Sequence, residues 1–169
     1  MYTSFNQPVL AEEYLEGPEF TVAVIKTPGE KLTVSAVEAI APLSGNGLRI
    51  LGAQAKKDDS EELVKIEDNE VSRRVTALGI DAFNALGARD FGRIDIKTSK
   101  SGEYLFMEAN LVPGMTYGSS YFPEACRITN SLAYDKVVEL LIAGGIARAS
   151  STIPPTILPD ADDKIASIL

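Results

Sequence analysis

Four side chains in the middle of the sequence could do chemistry together. Phe91-Gly-Arg-Ile-Asp-Ile-Lys97 alternates apolar Ile94 and Ile96 with charged Arg93, Asp95 and Lys97, the two-residue period of a strand. Ser99-Lys100-Ser101-Gly102 reads as a turn, and Glu103 to Asn110 as the returning strand of a hairpin. On that second strand Tyr104, Phe106, Glu108 and Asn110 share a face. An even-length turn pairs odd positions with even ones, so the Arg93/Asp95 face meets the Phe106/Glu108/Asn110 face. Two carboxylates, one amide oxygen and one guanidinium then converge on one side of a two-stranded ribbon. Carboxylates so close repel unless something neutralises them. A divalent cation would do so: Asp, Glu and Asn oxygens form the hard set typical of Mg²⁺, which keeps room for water and phosphate oxygens. Arg93 beside it would stabilise negative charge on a transferring group. Spacing alone also allows a solvated hairpin face with Arg93 paired to a carboxylate.

The rest of the inventory narrows the chemistry further. The 169 residues include no histidine, which removes Ser-His-Asp and Cys-His nucleophiles and His-ligated zinc. The single cysteine, Cys126, cannot form an internal disulfide, fits a reducing cytoplasm, and reads as a buried small apolar residue. Lys and Arg total 16 against 24 Asp and Glu, a net charge of -8 with no basic block, which argues against nucleic acid. No apolar run reaches the ~18 residues of a membrane span, and the first residues lack a secretory pattern. Gly45-Asn-Gly47 lacks the third glycine of a dinucleotide fingerprint.

The elements that must hold the hairpin are partly legible. Strands are expected over 8–15, 20–26 and 32–40, with Gly17-Pro18 and Pro28-Gly29 between them and a short strand over 50–54. Residues 55–67 are so charged that they read as a surface loop. Val71, Val75, Leu78, Ala82 and Leu86 then recur at helical spacing, with Asp68 as N-cap and Gly87 as C-cap. Gly79 inside that helix should cost ~1 kcal/mol relative to Ala. A last helix is expected over about 133–143. Residues 149–169, with three prolines and the acidic run Asp160-Ala-Asp-Asp163, read as an extended tail or partner contact.

Phe91-Gly-Arg-Ile-Asp95, Glu108-Ala-Asn110 and Pro113-Gly-Met-Thr116 together resemble the carboxy-terminal half of the D-alanine–D-alanine ligases, within the ATP-grasp superfamily. Val9-Leu-Ala-Glu12 through Gly17-Pro-Glu19-Phe-Thr21 resembles the same family's Val-Leu-x-Glu-x-x-x-x-Gly-x-Glu-Phe-Thr segment, and the likeness runs from about 8 to about 143. The resemblance implies an α+β fold: an ATP-grasp carboxy-terminal subdomain over 1–148, mainly antiparallel sheet flanked by helices. It implies Asp95, Glu108 and Asn110 as ligands of two Mg²⁺ ions (Mn²⁺ can replace them), with Glu108 bridging. Arg93 matches the arginine facing the acyl phosphate, and the Gly114 amide an oxyanion donor. Glu12 and Leu15 match the strand that binds adenine, Glu19 the ribose acceptor, and Lys56 a loop lysine that closes over phosphate. Ser119 or Ser120 matches the serine holding the acceptor's carboxylate, one extra residue before Pro123 leaving both open. Each has a plainer reading: Glu12, Glu13 and Glu16 as an exposed strand edge, Lys56 and Lys57 as solvated charge, Gly114 as a turn glycine.

The implied activity is ATP-dependent joining of a carboxylate to an amine through an acyl phosphate. D-alanine–D-alanine ligation in cell-wall precursor synthesis leads, another amino-acid ligase of the branch follows, and a non-catalytic nucleotide-binding or assembly module is the rival. The amino-terminal domain and the glycine-rich lid of the family have no counterpart in these residues. The chain therefore reads as a fragment that binds metal and adenine weakly and does not turn over alone. Its expected partners are an amino-acid substrate and the missing amino-terminal half, with a homodimer allowed. Lys57, where dipeptide-forming members often carry Tyr, and Leu111-Val112 before Pro113 leave the acceptor open.

Overall fold

The computed structural model describes residues 7–29, 31–43, 49 and 61–152. Within these lie five strands, β1 (Glu19–Lys26), β2 (Leu32–Ile40), β3 (Glu62–Lys65), β4 (Phe91–Thr98) and β5 (Tyr104–Asn110). Three helices accompany them, α1 (Asn69–Ala85), α2 (Tyr121–Asn130) and α3 (Tyr134–Thr152). The sheet order is β3-β2-β1-β4-β5, every neighbour antiparallel. The expected α+β class, an antiparallel sheet flanked by helices, is what forms.

The central strand explains its own sequence. β1 is covered on both faces, so Phe20 to Ile25 are almost all inaccessible to solvent rather than alternating. One face presents Phe20, Val22, Val24, Ile94 and Ile96 to Val75 and Phe83 of α1. The opposite face packs Ala23, Ile25 and Val37 against Phe122, Ala125 and Cys126 of α2 and Val137 of α3. Burial pushes the Cys126 thiol up to about 11, as expected of a packed, unreactive sulfur.

Helix α1 starts where its cap residue said it would: Asp68 Oδ1 accepts from the N–H groups of Glu70 at 2.8 Å and Val71 at 3.0 Å. It ends at Ala85 with Leu86 as its C-cap; Gly87, expected as the cap, is the residue after it, and its φ of 64° suits that place. Its buried line is Val75, Gly79 and Phe83, rotated from the expected stripe, and Leu86 is half exposed.

Four expectations are corrected. Residues 8–15 form no strand; the chain there is irregular, backbone bonds to Thr98 begin at Gly17 and β1 itself starts at Glu19. The charged stretch 55–67 contains β3, which zips onto Val37 to Ile40 through backbone bonds indifferent to its charge, although 51–60 lie outside the described residues. The last helix runs from Tyr134 through Thr152, past both the expected end at 143 and the boundary at 148/149; residues 153–169 lie outside the described residues. Helix α2 was not expected at all; its Pro123 occupies the third position of the helix, where a missing N–H costs nothing. The short strand expected over 50–54 also falls outside the described residues.

Candidate active site

Strands β1, β4 and β5 bring the chemical residues onto the sheet face that α2 and α3 cover further along. The registers are Asp95 opposite Thr21 on one side and Glu108 on the other, with Arg93 opposite Asn110. The expected pairing of the four side chains is therefore present, by a different route. The β4–β5 loop, residues 99–103, has odd length, and Thr98 faces Tyr104. A bulge between Asp95 and Ile96 leaves Met107 as the extra residue on β5, and this restores odd-to-even pairing at the site. Tyr104 and Phe106 accordingly leave the face of Glu108 and Asn110. Tyr104 packs on the α1 side against Phe20, ring centroids 6.1 Å apart.

Asp95 is the focus of the constellation and is only 8% exposed. Its Oδ1 accepts from Thr21 Oγ1 at 2.6 Å and from Arg93 Nε at 3.0 Å. Its Oδ2 accepts from Arg93 Nη2 at 2.7 Å and Asn110 Nδ2 at 3.2 Å. The same Asn110 amide donates to Glu108 Oε1 at 2.9 Å, and Arg93 Nη2 stands 3.7 Å from that oxygen. Two neighbouring carboxylates are thus separated by one guanidinium and one amide. Arg93 does pair with a carboxylate, but the pair is largely withdrawn from solvent, with Asp95 buried and Arg93 partly so.

The donor set suits a hard divalent cation. No three His, Cys, Asp or Glu side chains converge among the described residues, so the set is two carboxylates plus an amide. Glu108 reaches outward with its side chain 61% exposed, while Asp95 is fixed from beneath. A half-turn of the Asn110 amide presents its oxygen where the NH₂ now lies. Mg²⁺ in general takes a few such oxygens and leaves its remaining positions to water and phosphate.

Two neighbours extend the site. Arg93 lies over the Tyr121 ring, 5.3 Å from its centroid, and Tyr121 Oη donates to Glu61 Oε1 at 2.9 Å. Burial, then the Glu61 carboxylate, raise the Tyr121 hydroxyl well above its ordinary value, so it remains a donor at any physiological pH. Two residues along β4 from Asp95, Lys97 Nζ bonds Glu19 Oε2 at 3.0 Å and sits 5.3 Å from the Tyr14 ring centroid. These residues line an open cavity of about 490 Å³ with Ile40 and Leu43, inside the roughly 300–1,000 Å³ range of small-molecule sites.

The chain as a whole has relatives among known proteins. The family model described as "D-ala D-ala ligase C-terminus" matches residues 2–143. The chain belongs to that family. It is 33% identical over 136 residues to a D-alanine--D-alanine ligase of Marinobacter nauticus, covering 79% of this chain and 39% of that protein. The D-alanine-D-alanine ligase structure from Coxiella burnetii superposes with a TM-score of 0.64 at 21% identity, over 83% of this chain and 35% of that one. A D-alanine--D-alanine ligase from Bacillus anthracis, complexed with ATP, gives 0.62 at 20% identity, over 84% and 42%. Identities this low speak for the fold alone. The chain spans about two fifths of the length of the curated relatives it matches.

The other positions expected of a D-ala D-ala ligase C-terminus fall out unevenly. Glu19 lines the cavity, but Glu12 is exposed and neither it nor Leu15 lines that cavity. Lys56 lies outside the described residues. Gly114 is not a left-handed turn glycine, since its φ is not positive; an added Cβ there would stand 2.9 Å from Ser120 Oγ. Ser120 Oγ accepts from the Thr116 N–H at 2.8 Å and so latches the Pro-Gly-Met-Thr loop, its proton still free to donate. Ser119 instead lines a small cavity with Glu61 and Tyr121. Sequence reasoning missed Thr21, Lys97 and Tyr121. The first two carried a signal: strand alternation places Thr21 beside Glu19 and Lys97 beside Asp95 on the site's face.

Proposed function

We propose that the chain is the catalytic subdomain of an ATP-dependent carboxylate–amine ligase, with D-alanine–D-alanine ligation the leading reaction. The observation that carries this reading is Asp95, Glu108, Asn110 and Arg93 converging on one hairpin face of a chain from this family. The parent reaction has two steps. A carboxylate takes the γ-phosphoryl group of ATP to give an acyl phosphate, and an amine then displaces phosphate to leave an amide. Asp95, Glu108 and Asn110 would hold Mg²⁺ (one ion or two, with Mn²⁺ as a substitute). When bound, the metal supplies neutralisation of phosphate charge.

The chain's own groups do the rest. Glu19 and the cavity around it hold the nucleoside, and the registers put it roughly 7 Å along the sheet from Asp95, a span for a polyphosphate. Arg93 keeps Nε and Nη2 on Asp95, and its remaining N–H groups face an oxyanion beside Glu108, joined there by the Gly114 N–H. Ser119 or Ser120 binds the acceptor's carboxylate. Lys56, and the amino-terminal parts that the relatives possess, would close over the phosphates. Glu12 and Leu15 would reach adenine only when that closure draws residues 8–15 onto it. Such a reaction belongs in the cytoplasm, where ATP is; no helix among the described residues is long and apolar enough to cross a membrane.

Calorimetric titration with ATP in the presence and absence of Mg²⁺ tests the reading. Binding is expected only with Mg²⁺, and Glu108→Ala should weaken it about tenfold or more, the loss of one charge-assisted ligand. Equal binding by both proteins, or binding indifferent to Mg²⁺, removes the hairpin from nucleotide handling.

A further inference from the structure

The carboxylate assigned to the ribose is not alone. Lys97 is 8% exposed, and its ammonium is held between Glu19 Oε2, at 3.0 Å, and the face of Tyr14. Glu19 and Lys97 are directly opposed across β1 and β4, so the backbone register fixes the pair. Both side chains line the same cavity, and with 25% of the Glu19 and 10% of the Lys97 side-chain surface exposed they meet little water.

Taking Glu19 as the ribose acceptor, we propose that Lys97 is a specificity-determining residue of the same site, joining Glu19 so that the two read the vicinal diol together. This rests on the nucleotide reading above and adds to it. A carboxylate can only accept a hydrogen bond and an ammonium can only donate. Each ribose hydroxyl does both. Two adjacent hydroxyls meet such a pair when one donates to Glu19 and the other accepts from Lys97. Glu19 keeps Oε1 for this purpose while Oε2 stays on Lys97, and Lys97 has donors beyond the one given to Glu19. The ammonium also offsets the Glu19 charge, so the carboxylate does not repel the polyphosphate. A ribose lacking either hydroxyl leaves one member of a desolvated pair short of a partner, the situation in which polar sites discriminate most.

The test compares Mg·ATP, its 2′-deoxy analogue and its 3′-deoxy analogue by calorimetry on the whole chain. On the unaltered protein ATP should bind about tenfold or more tightly than each analogue. In Lys97→Met, discrimination at one of the two positions should fall to about twofold while the other persists. Removing one partner of a buried pair destabilises, so the double variant Glu19→Leu/Lys97→Met, which leaves neither an unpaired charge nor a hydrogen-bonding group, serves as a second probe and should lose discrimination at both positions. Equal affinity for all three nucleotides on the unaltered protein overturns the diol reading alone. Unchanged ratios in both variants overturn the part given to Lys97. No binding of any nucleotide removes the nucleotide reading itself and this inference with it.

Discussion

Asp95 is held by three donors from three strands: Thr21 on β1, Arg93 on its own strand and Asn110 on β5. It therefore both shapes the site and stabilises the sheet, and a substitution there mixes the two effects. Asp95→Ala leaves Arg93 buried without its main carboxylate, and chemical denaturation should show a loss of ~3 kcal/mol or more. A loss within ~1 kcal/mol would mean that the pair contributes no more than an exposed one. Glu108, outward-facing, should change the same unfolding curve little, which makes it the cleaner probe of ligand binding. The chemistry of these residues was readable because strand alternation is a strict geometric rule. Tyr121 escaped notice because a hydroxyl has no distinctive pattern until a carboxylate as remote in sequence as Glu61 lies within reach.

At the scale of elements, α1 shows why propensity alone misleads. Gly79 is a poor helix residue, and Ala there would gain about 1 kcal/mol in an isolated helix. In the packed structure an added Cβ would stand 2.7 Å from Val22 Cγ1 and 2.9 Å from Val22 Cβ, because the helix approaches β1 closely at that point. Gly79→Ala should therefore destabilise by ~1–3 kcal/mol in urea unfolding, the overpacking range. A gain in stability would show that α1 can lift off the sheet without loss. The sequence revealed α1 because its cap and apolar spacing agree. It hid α2 because Ser120 makes no side-chain cap bond and Pro123 resembles a breaker. It hid β3 because four charged and apolar residues on a short outer strand carry no reliable period.

For the molecule as a whole, the carboxy-terminal helix is clamped to the start of β4. Arg148 grips Asp90 with Nε at 2.8 Å from Oδ1 and Nη2 at 2.8 Å from Oδ2, and Gly144 lets α3 approach the Lys26 carbonyl. The Arg148 guanidinium holds the Asp90 carboxyl below its ordinary value of 3.8. A lowered folded-state value stabilises above the unfolded one and is lost as pH falls through the folded one. Asp90→Asn should thus unfold at a lower temperature than the unaltered protein at pH 7, and the gap should close as the pH falls below about 4. A gap independent of pH would assign the effect to something other than charge. The class came from the family resemblance, while strand alternation and one clear helix marked β1, β2, β4, β5 and α1. The pairing order was not legible, since β1 joins β4 across more than sixty intervening residues and no local pattern encodes a contact that remote.

The bulge at Met107 reaches beyond register. Among the described residues β5 is the outer strand of the sheet, with Phe106 and Met107 about half exposed. A straight apolar rim of this kind invites a second chain to add its own strand, the first step of fibrillar clumping. One surplus residue breaks the run of amides and carbonyls a visitor would need, so the kink that aligns the acids also keeps the rim from being copied onto a neighbour.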